Sequence, residues 1–204
     1  RRYVRLNDGS YAEIPRERVE RIWEAISELN AEADADDRFR LPRFYGPALL
    51  DVLGDSGEIR VQDRFQGFVD RLRSFSGIEE IPLPRGLDAT LRPYQEAGFR
   101  WLHFLGEFGL GGILADDMGL GKTLQTLTLL QKRKETEGPA PSLVVAPASV
   151  VFNWQEEAGR FTPGLSVLPL VGLDRHERFP KIPTHDVVVT NYALLRRDIA
   201  RLEA

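Results

Sequence analysis

The residues of this chain that could do chemistry are concentrated in one stretch, Ala115-Asp-Asp-Met-Gly-Leu-Gly-Lys-Thr123. It lies between a short apolar run, 112–115, and a segment of helical character, 123–132, which gives the order strand, glycine-bearing loop, helix. Such a loop turns its backbone N–H groups toward a phosphate chain, and the following helix directs its positive end at the same anion. Lys122 would add a positive charge for the terminal phosphates, and Thr123 a hydroxyl for Mg²⁺. The sequence therefore predicts a nucleotide-binding loop.

The glycines of this loop have a steric purpose. At Gly119 and Gly121 a Cβ would block the approach of the backbone to a phosphate or forbid a positive φ. The general phosphate-loop pattern places a further glycine five residues before Gly121, where this chain has Asp116. The alternative is a chance Gly-Lys-Thr at a helix start, and the order of strand, loop and helix argues against it.

Composition sets the wider limits. The chain has 204 residues, 42% hydrophobic and 28% charged, which is ordinary for a soluble globular protein of one or two domains. Cysteine is absent and there are three histidines, so neither disulfides nor a structural zinc is expected. No run approaches the roughly 18 apolar residues of a membrane span. We expect no membrane partner and a cytoplasmic location.

The charge is uneven along the chain. The net charge is −4; residues 1–80 carry 13 Arg and 17 acidic residues, whereas residues 81–204 carry 14 of each sign. Proteins that bind polyanions are often basic. The neutral second part therefore argues against strong DNA affinity of this piece alone.

The first 80 residues predict a small, mostly helical module. Residues 3–14 predict a β-hairpin that turns at Asp8-Gly9. A helix should follow Pro15, and the acidic stretch 32–37 should be a solvated loop. The first helix has an apolar stripe, interpreted as core packing, formed by Val19, Ile22, Trp23, Ile26 and Leu29.

A second amphipathic helix is predicted between Val61 and Phe75, ending at Gly77 as a C-cap. Pro82 and Pro84 then mark an extended linker. We place the boundary there, with an accessory module in residues 1–80 and a nucleotide-binding unit in residues 81–204.

A helix is predicted just before the loop, in residues 90–108, with Thr90 as N-cap. Gln95 lies in its first turn, and its amide matches the adenine N6/N7 edge bidentately. From chemistry alone, an exposed glutamine on a helix is the simpler interpretation.

Beyond the loop the pattern is that of an α/β parallel sheet. The runs 143–146 and 186–190 are nearly all apolar, as in buried parallel strands, and helical segments alternate with them. The run 166–171 is a weaker strand, and Pro169 predicts an edge position. Ligands of such sheets bind at the carboxyl ends of the strands, where the loop, Pro147–Ser149 and Thr190–Tyr192 all fall.

Four ordered motifs in residues 82–204 resemble those of the Swi/Snf-like ATPases, the ATP-dependent DNA translocases of helicase superfamily two. They are Leu91-Arg-Pro-Tyr-Gln95, Asp116-Asp-Met-Gly-Leu-Gly-Lys-Thr123, Leu143-Val-Val-Ala-Pro-Ala-Ser149 with Asn153-Trp154, and Val187-Val-Val-Thr-Asn-Tyr192. This family places an acidic residue where Asp116 stands. Residues 1–80 are similar to the accessory region that precedes the motor in bacterial members.

The resemblance implies a RecA-like lobe that uses ATP and Mg²⁺. Lys122 and Thr123 would act in catalysis, with Thr123 also on the metal. The residues that the resemblance assigns to nucleotide binding are Arg92, Gln95, Asp116, Asp117, Met118, Gly119, Leu120, Gly121, Lys122 and Thr123.

The resemblance also implies contacts to one DNA strand. Hydroxyls and helix-start N–H groups suit phosphates and read no base sequence. Trp154 falls in the same region, and its place on an apolar stripe favours a core role over stacking. The residues assigned to the DNA backbone are Pro147, Ser149, Thr190, Asn191 and Tyr192.

In the family an Asp-Glu box and a second lobe follow beyond the position of Ala204. The resemblance therefore implies part of a double-stranded DNA translocase, acting on DNA-bound proteins such as polymerase. We expect these 204 residues to bind nucleotide weakly and not to hydrolyse it. Two alternatives stay open, namely a non-catalytic DNA- or protein-binding platform and another P-loop NTPase.

Overall fold

The computed structural model describes residues 62–203 without a break and, before them, residues 3–5, 11–13, 32–33, 39–41 and 45–54 and positions 17, 20, 24 and 27. The chain divides into two compact units, Arg1–Gly77 and Ile78–Ala204. The division falls shortly before Pro82 and Pro84. No helix within the described residues is long and apolar enough to cross a membrane.

The first unit contains two short antiparallel strand pairs. β1 (Tyr3–Arg5) pairs with β2 (Tyr11–Glu13), which confirms the predicted hairpin, although its turn at Asp8-Gly9 lies outside the described residues. β3 (Glu32–Ala33) pairs with β4 (Phe39–Arg40). The prediction of a loop was therefore wrong for the start of the acidic stretch, because pairing with a neighbouring strand outweighs a low intrinsic strand preference.

The helices of the first unit were predicted in part. Positions 17, 20, 24 and 27 are helical and exposed, whereas the predicted apolar stripe from Val19 to Leu29 lies outside the described residues. Helix α1 (Gly46–Gly54) was not predicted. Its Gly-Pro start resembles a loop in sequence, but proline also suits the first turn of a helix.

Helix α2 (Asp63–Arg73) confirms the second amphipathic helix, with Phe68 and Val69 buried. Its C-cap is Ser74 and not the predicted Gly77. Phe75, predicted as part of the helical face, follows the helix and is 45% exposed. The helix ends at Arg73, because the backbone of Ser74 has ψ = 1°, outside the helical range. The Ser74 N–H still donates to the Asp70 carbonyl.

The second unit is built on a parallel sheet of three strands in the order β5 (Ser142–Ala146), β7 (Val187–Asn191), β6 (Val167–Pro169). The predicted edge position of β6 is confirmed: Pro169 stands at its end and pairs with Val189. In the central strand β7, the first four residues are buried.

Helices cover both faces of this sheet. Helices α4 (Lys122–Glu137) and α5 (Val151–Phe161) pack on one face, and a 3₁₀ segment, Leu173–Thr184, with helix α6 (Tyr192–Leu202) lies on the other. The first core cluster consists of Leu127, Val151, Ala158, Leu165, Val187 and Val189. The second consists of Leu168, Leu170, Phe179 and Val188. The alternation along β7 thus divides its side chains between two cores.

The run 112–115 is not a strand, contrary to prediction. The segment follows helix α3 (Pro93–Phe108), and no ladder pairing is assigned to it within the described residues. Gly112 lies against α3, since a Cβ there would come within 2.7 Å of the Trp101 ring, and Ile113 is 86% exposed. An apolar run becomes a strand only where a partner strand accepts its hydrogen bonds.

Asp186, at the amino end of β7, joins three elements of the second unit. Its Oδ2 accepts hydrogen bonds from the Ser166 N–H at 2.7 Å, the Ser166 hydroxyl at 2.6 Å and Lys134 Nζ at 2.9 Å. Burial raises the pKa of Asp186, but the bonds from Ser166 and Lys134 outweigh it, so the pKa lies below its ordinary value. The carboxylate is therefore charged in the folded state at neutral pH.

A buried ion pair fixes helix α6 to the 3₁₀ segment. Arg175 donates to both carboxylate oxygens of Asp198, at 2.7 and 3.0 Å, and both side chains are buried. The hydrogen bonds from Arg175 lower the pKa of Asp198. Beside this pair, the Arg201 guanidinium lies 4.2 Å from the centre of the Phe179 ring.

Candidate nucleotide-binding site

The glycine loop has the backbone that a phosphate site requires. Gly119 has φ = 85° and Gly121 has φ = 79°, both in the left-handed region that favours glycine. Gly121 is the N-cap of α4, so the first N–H groups of this helix lie at the loop and have no partners within the helix. Met118 lies in the loop between Asp117 and Gly119, and it is 97% exposed.

Lys122 is drawn into the loop. Its Nζ donates to the backbone carbonyls of Asp116 at 2.6 Å and Asp117 at 2.9 Å. Thr123 stands next to it in the first turn of α4, beside the unpaired helix N–H groups. The ammonium, the helix start and the glycines thus converge on one position, which is the arrangement that binds an anion.

Gln95 connects the helix before the loop to the loop itself. Its Oε1 accepts the Arg92 N–H at 2.9 Å, and its Nε2 donates to the Leu120 carbonyl at 3.1 Å. Tyr94 donates to the same carbonyl at 3.3 Å. Gln95 is buried, so the interpretation as an exposed glutamine was wrong.

The start of helix α3 also differs from prediction. Arg92 is the N-cap, not Thr90, because the Gln95 side chain takes up the N–H of Arg92 in the manner of a capping box. The Arg92 side chain is exposed, one residue outside the helix. The structure therefore brings Gln95 to the loop and leaves Arg92 at its margin.

Gln125, at the end of the first turn of α4, makes a contact with the loop that the sequence did not reveal. Its Nε2 donates to Asp116 Oδ2 at 3.1 Å, and the residue is fully buried. In sequence it lies in a row of polar residues with Thr128 and Gln131, which is typical of a solvent face. The residue types alone could not indicate that Gln125 is buried, since its burial depends on the packing of α3 against α4.

Two further loops lie side by side at the carboxyl edge of the sheet. Ala146, the last residue of β5, pairs with Asn191, the last residue of β7. Pro147 and Ser149 follow β5 and are exposed, as is Tyr192 after β7, at 60%. The register therefore brings together both of the predicted DNA-contacting motifs.

Two residues of these motifs have internal partners. Thr190 is 1% exposed, and its hydroxyl donates to the Leu170 carbonyl at 3.1 Å. Asn191 caps helix α6 by accepting the Leu194 N–H at 3.0 Å. In this structure a surface contact by Thr190 is therefore excluded by its burial. Trp154 packs against the first core cluster, which confirms the core interpretation.

The donor set fits a magnesium–nucleotide complex better than a protein-bound metal. Within the described part of the chain, no cluster of three or more His, Asp or Glu side chains could hold a metal ion. A Mg²⁺ that keeps most of its ligands from water and phosphates needs only one or two protein oxygens. The Thr123 hydroxyl at the helix start could supply one.

Comparison with known proteins gives the family. The model for the SNF2-related domain matches residues 94–204. The TATA-binding protein-associated factor mot1 of Aspergillus fumigatus is 36% identical over 203 residues, covering 87% of this chain and 11% of that protein. The chromatin-remodeling ATPase INO80 of Candida albicans is 44% identical over 133 residues, covering 59% of this chain and 10% of its own length.

Solved structures agree with this result. The SWI2/SNF2 ATPase core of Sulfolobus solfataricus in complex with double-stranded DNA matches with a TM-score of 0.57 and 42% identity, covering 62% of this chain and 26% of that one. The chain thus spans only a small part of each relative. With the glycine loop, the buried Gln95 and the parallel sheet in place, these matches show that the chain belongs to the SNF2-related family and that residues of its second unit have the fold of part of the SWI2/SNF2 ATPase core.

Proposed function

We propose that this chain is the ATP-binding part of a motor that moves along double-stranded DNA. The observation that carries the proposal is the position of Lys122, whose ammonium is held inside a loop with two left-handed glycines at the start of a helix. Relatives named as ATPases support ATP as the nucleotide. The chain spans about a tenth of the curated relatives reported above, so the activity of the whole protein is part of the proposal.

Each residue of the site has a task in this proposal. Lys122 turns from the loop carbonyls to the terminal phosphates, because a phosphate oxygen carries a negative charge that attracts the ammonium, whereas a carbonyl oxygen offers only a dipole. Mg²⁺, when bound, neutralises the charge of the phosphates. The Thr123 hydroxyl would hold that ion, and the N–H groups at the start of α4 would hold phosphate oxygens.

Gln95 is proposed to read the base. Each atom of its amide head is engaged once inside the protein, by Arg92 and by Leu120. An amide oxygen can accept a second bond and an amide nitrogen can donate one. The adenine N6/N7 edge can therefore be bound without breaking either internal contact, and guanine presents two acceptors there instead.

Titration of ATP–Mg²⁺ and GTP–Mg²⁺ by calorimetry tests the site. We expect binding of ATP, weaker binding of GTP, and loss of binding in Lys122→Ala. Lys132→Ala, which removes a lysine farther along the same helix, is the matched control and should bind as the unaltered chain does. Equal binding of ATP by Lys122→Ala and by the control would contradict the proposal.

DNA contact is proposed for the two loops at the carboxyl edge of the sheet. The exposed residues Ser149 and Tyr192 stand on adjacent loops, and a relative solved with double-stranded DNA supports DNA as the partner. Thr190 is left out because it is buried, and Asn191 is assigned to capping. Such contacts recognise the backbone and not the base sequence.

Fluorescence anisotropy with a labelled duplex tests this second part. Ser149→Ala and Tyr192→Ala should each weaken binding by a similar factor on unrelated DNA sequences, and binding should weaken with salt. Binding that neither substitution changes would exclude these loops, and binding that nucleotide does not affect would favour a non-catalytic platform.

The wider assignment follows the relatives. The name of the Aspergillus fumigatus protein links it to the TATA-binding protein. We therefore propose that the motor acts on DNA-bound proteins. The relatives give no support for a polymerase as that protein. The cytoplasmic location stays a prediction.

A further inference from the structure

Gln125 occupies a place in the core where an apolar side chain would be expected. It is fully buried, its Nε2 donates to the Asp116 carboxylate, and no donor among the described residues reaches its Oε1. Burying an amide with one end unsatisfied costs free energy that a leucine would not cost. A gain elsewhere must offset this cost, and the one hydrogen bond that the Gln125 side chain makes among the described residues is with the loop.

Helix α3 is shaped to admit this side chain. A Cβ on Gly98 would collide with Gln125 Oε1, so glycine at this position leaves room for the amide head where it lies. Gln95 lies one turn earlier on α3 and reaches the other end of the loop, at Leu120. Two buried amides thus hold the loop, one at Asp116 and one at Leu120.

The contact matters because Asp116 is an acidic residue at a site for phosphates. A carboxylate free to turn into the loop would repel a phosphate chain. Lys122 does not prevent this, because it binds the backbone carbonyl of Asp116 and leaves when it turns to phosphate. Gln125 binds the carboxylate itself and remains in place.

We propose that Gln125 is a positioning residue of the nucleotide site: it fixes the Asp116 carboxylate against helix α4, so that the loop keeps its form when Lys122 moves to the ligand. The inference rests on the proposed ATP site. The inference gives Asp116, which stands where the general phosphate-loop pattern has glycine, a hydrogen-bond partner on the helix that follows the loop.

The same helix offers a matched control. Gln131 is also buried and also has an Oε1 without a donor among the described residues, but its Nε2 donates to Glu135 at 2.8 Å. It lies about 9 Å farther along the axis, at 1.5 Å per residue. Methionine has nearly the same length as glutamine and lacks the amide, so Gln125→Met and Gln131→Met remove the same groups at different places.

Calorimetry with ATP–Mg²⁺ distinguishes the effect of Gln125→Met from that of Gln131→Met. Gln125→Met should weaken binding about tenfold, the size of one hydrogen bond to a charged group, and Gln131→Met less than twofold. In an Asp116→Ala background, the effect of Gln125→Met should fall below twofold, because no carboxylate remains to be held. An undiminished effect in that background, or equal effects of the two methionines, would overturn the inference.

A second measurement needs no nucleotide. Amide hydrogen exchange in residues 116–121 should become faster in Gln125→Met and stay unchanged in Gln131→Met. If the unaltered chain bound no ATP, the proposed function would fail for this chain, while the exchange result would still decide the positioning role. Unchanged exchange in Gln125→Met would reject that role whatever the nucleotide result.

Discussion

Asp186→Asn is the substitution whose effect on stability follows most directly from the structure. All three hydrogen bonds of this carboxylate go to one oxygen, Oδ2, and the residue is 7% exposed. Asparagine can place its carbonyl oxygen at the same point and keep the shape of the site. What it removes is the charge.

The size of the effect can be worked out from the partners. A hydrogen bond to a charged group contributes about 1.5–3 kcal/mol and a neutral one about 1 kcal/mol, so each of the two Ser166 bonds loses on the order of 1 kcal/mol. Lys134 is one-third exposed, and water replaces much of what it loses, so its share is small. We expect the free energy of unfolding to fall by about 2 kcal/mol at pH 7.

The pH dependence has a definite sign. Because the folded-state pKa of Asp186 is lowered, its stabilisation is fully present above the unfolded pKa of about 3.9 and is lost as the pH falls through the folded pKa. The difference in stability between the unaltered chain and Asp186→Asn should therefore stay constant from pH 7 to about pH 5. It should narrow below about pH 4.

Urea unfolding followed by circular dichroism across this pH range measures the difference. Asp174→Asn is the control, because Asp174 is exposed and, among the described residues, pairs with Arg178 and its own backbone N–H. Its effect on stability should be clearly smaller. A loss of stability in Asp186→Asn that persists unchanged to the lowest pH, or one no larger than the control's, would refute the reasoning.

Three further substitutions test other parts of the molecule. Leu127→Ala, in the first core cluster, should cost about 2–5 kcal/mol in urea unfolding, since a fully buried leucine leaves a cavity. Gly121→Ala should weaken ATP–Mg²⁺ binding in calorimetry at least tenfold while circular dichroism stays unchanged, because φ = 79° strains alanine and its Cβ would lie 2.5 Å from Gln95 Nε2. Asp198→Asn should lower the urea midpoint more than Asp174→Asn does, because it leaves Arg175 buried beside a neutral partner.

The parts of the fold that could be predicted from sequence are those with a strong local signal. The apolar strand β7, the amphipathic helix α2 and the edge position of β6 each follow from the periodicity or from one proline. The glycine loop was predictable because its chemistry dictates both residue type and spacing.

The parts that could not be predicted depend on contacts between segments distant in sequence. The run 112–115 has the composition of a strand but no assigned partner among the described residues, and the acidic Glu32 lies in a strand because the backbone of 39–40 pairs with it. The burial of Gln95 and Gln125 depends on the packing of α3 against α4. Polar residues of this kind give the same local pattern on a surface and in a site.

The internal bonds of Lys122 make ligand binding a competition. In the free chain its ammonium has two carbonyl acceptors, so it is already ordered, and a ligand needs no further ordering of that side chain. The ligand must instead displace those carbonyls, and only an acceptor with more negative charge gains by doing so. A site of this kind rejects neutral molecules that would fit its shape, because its own backbone carbonyls compete with them for the ammonium.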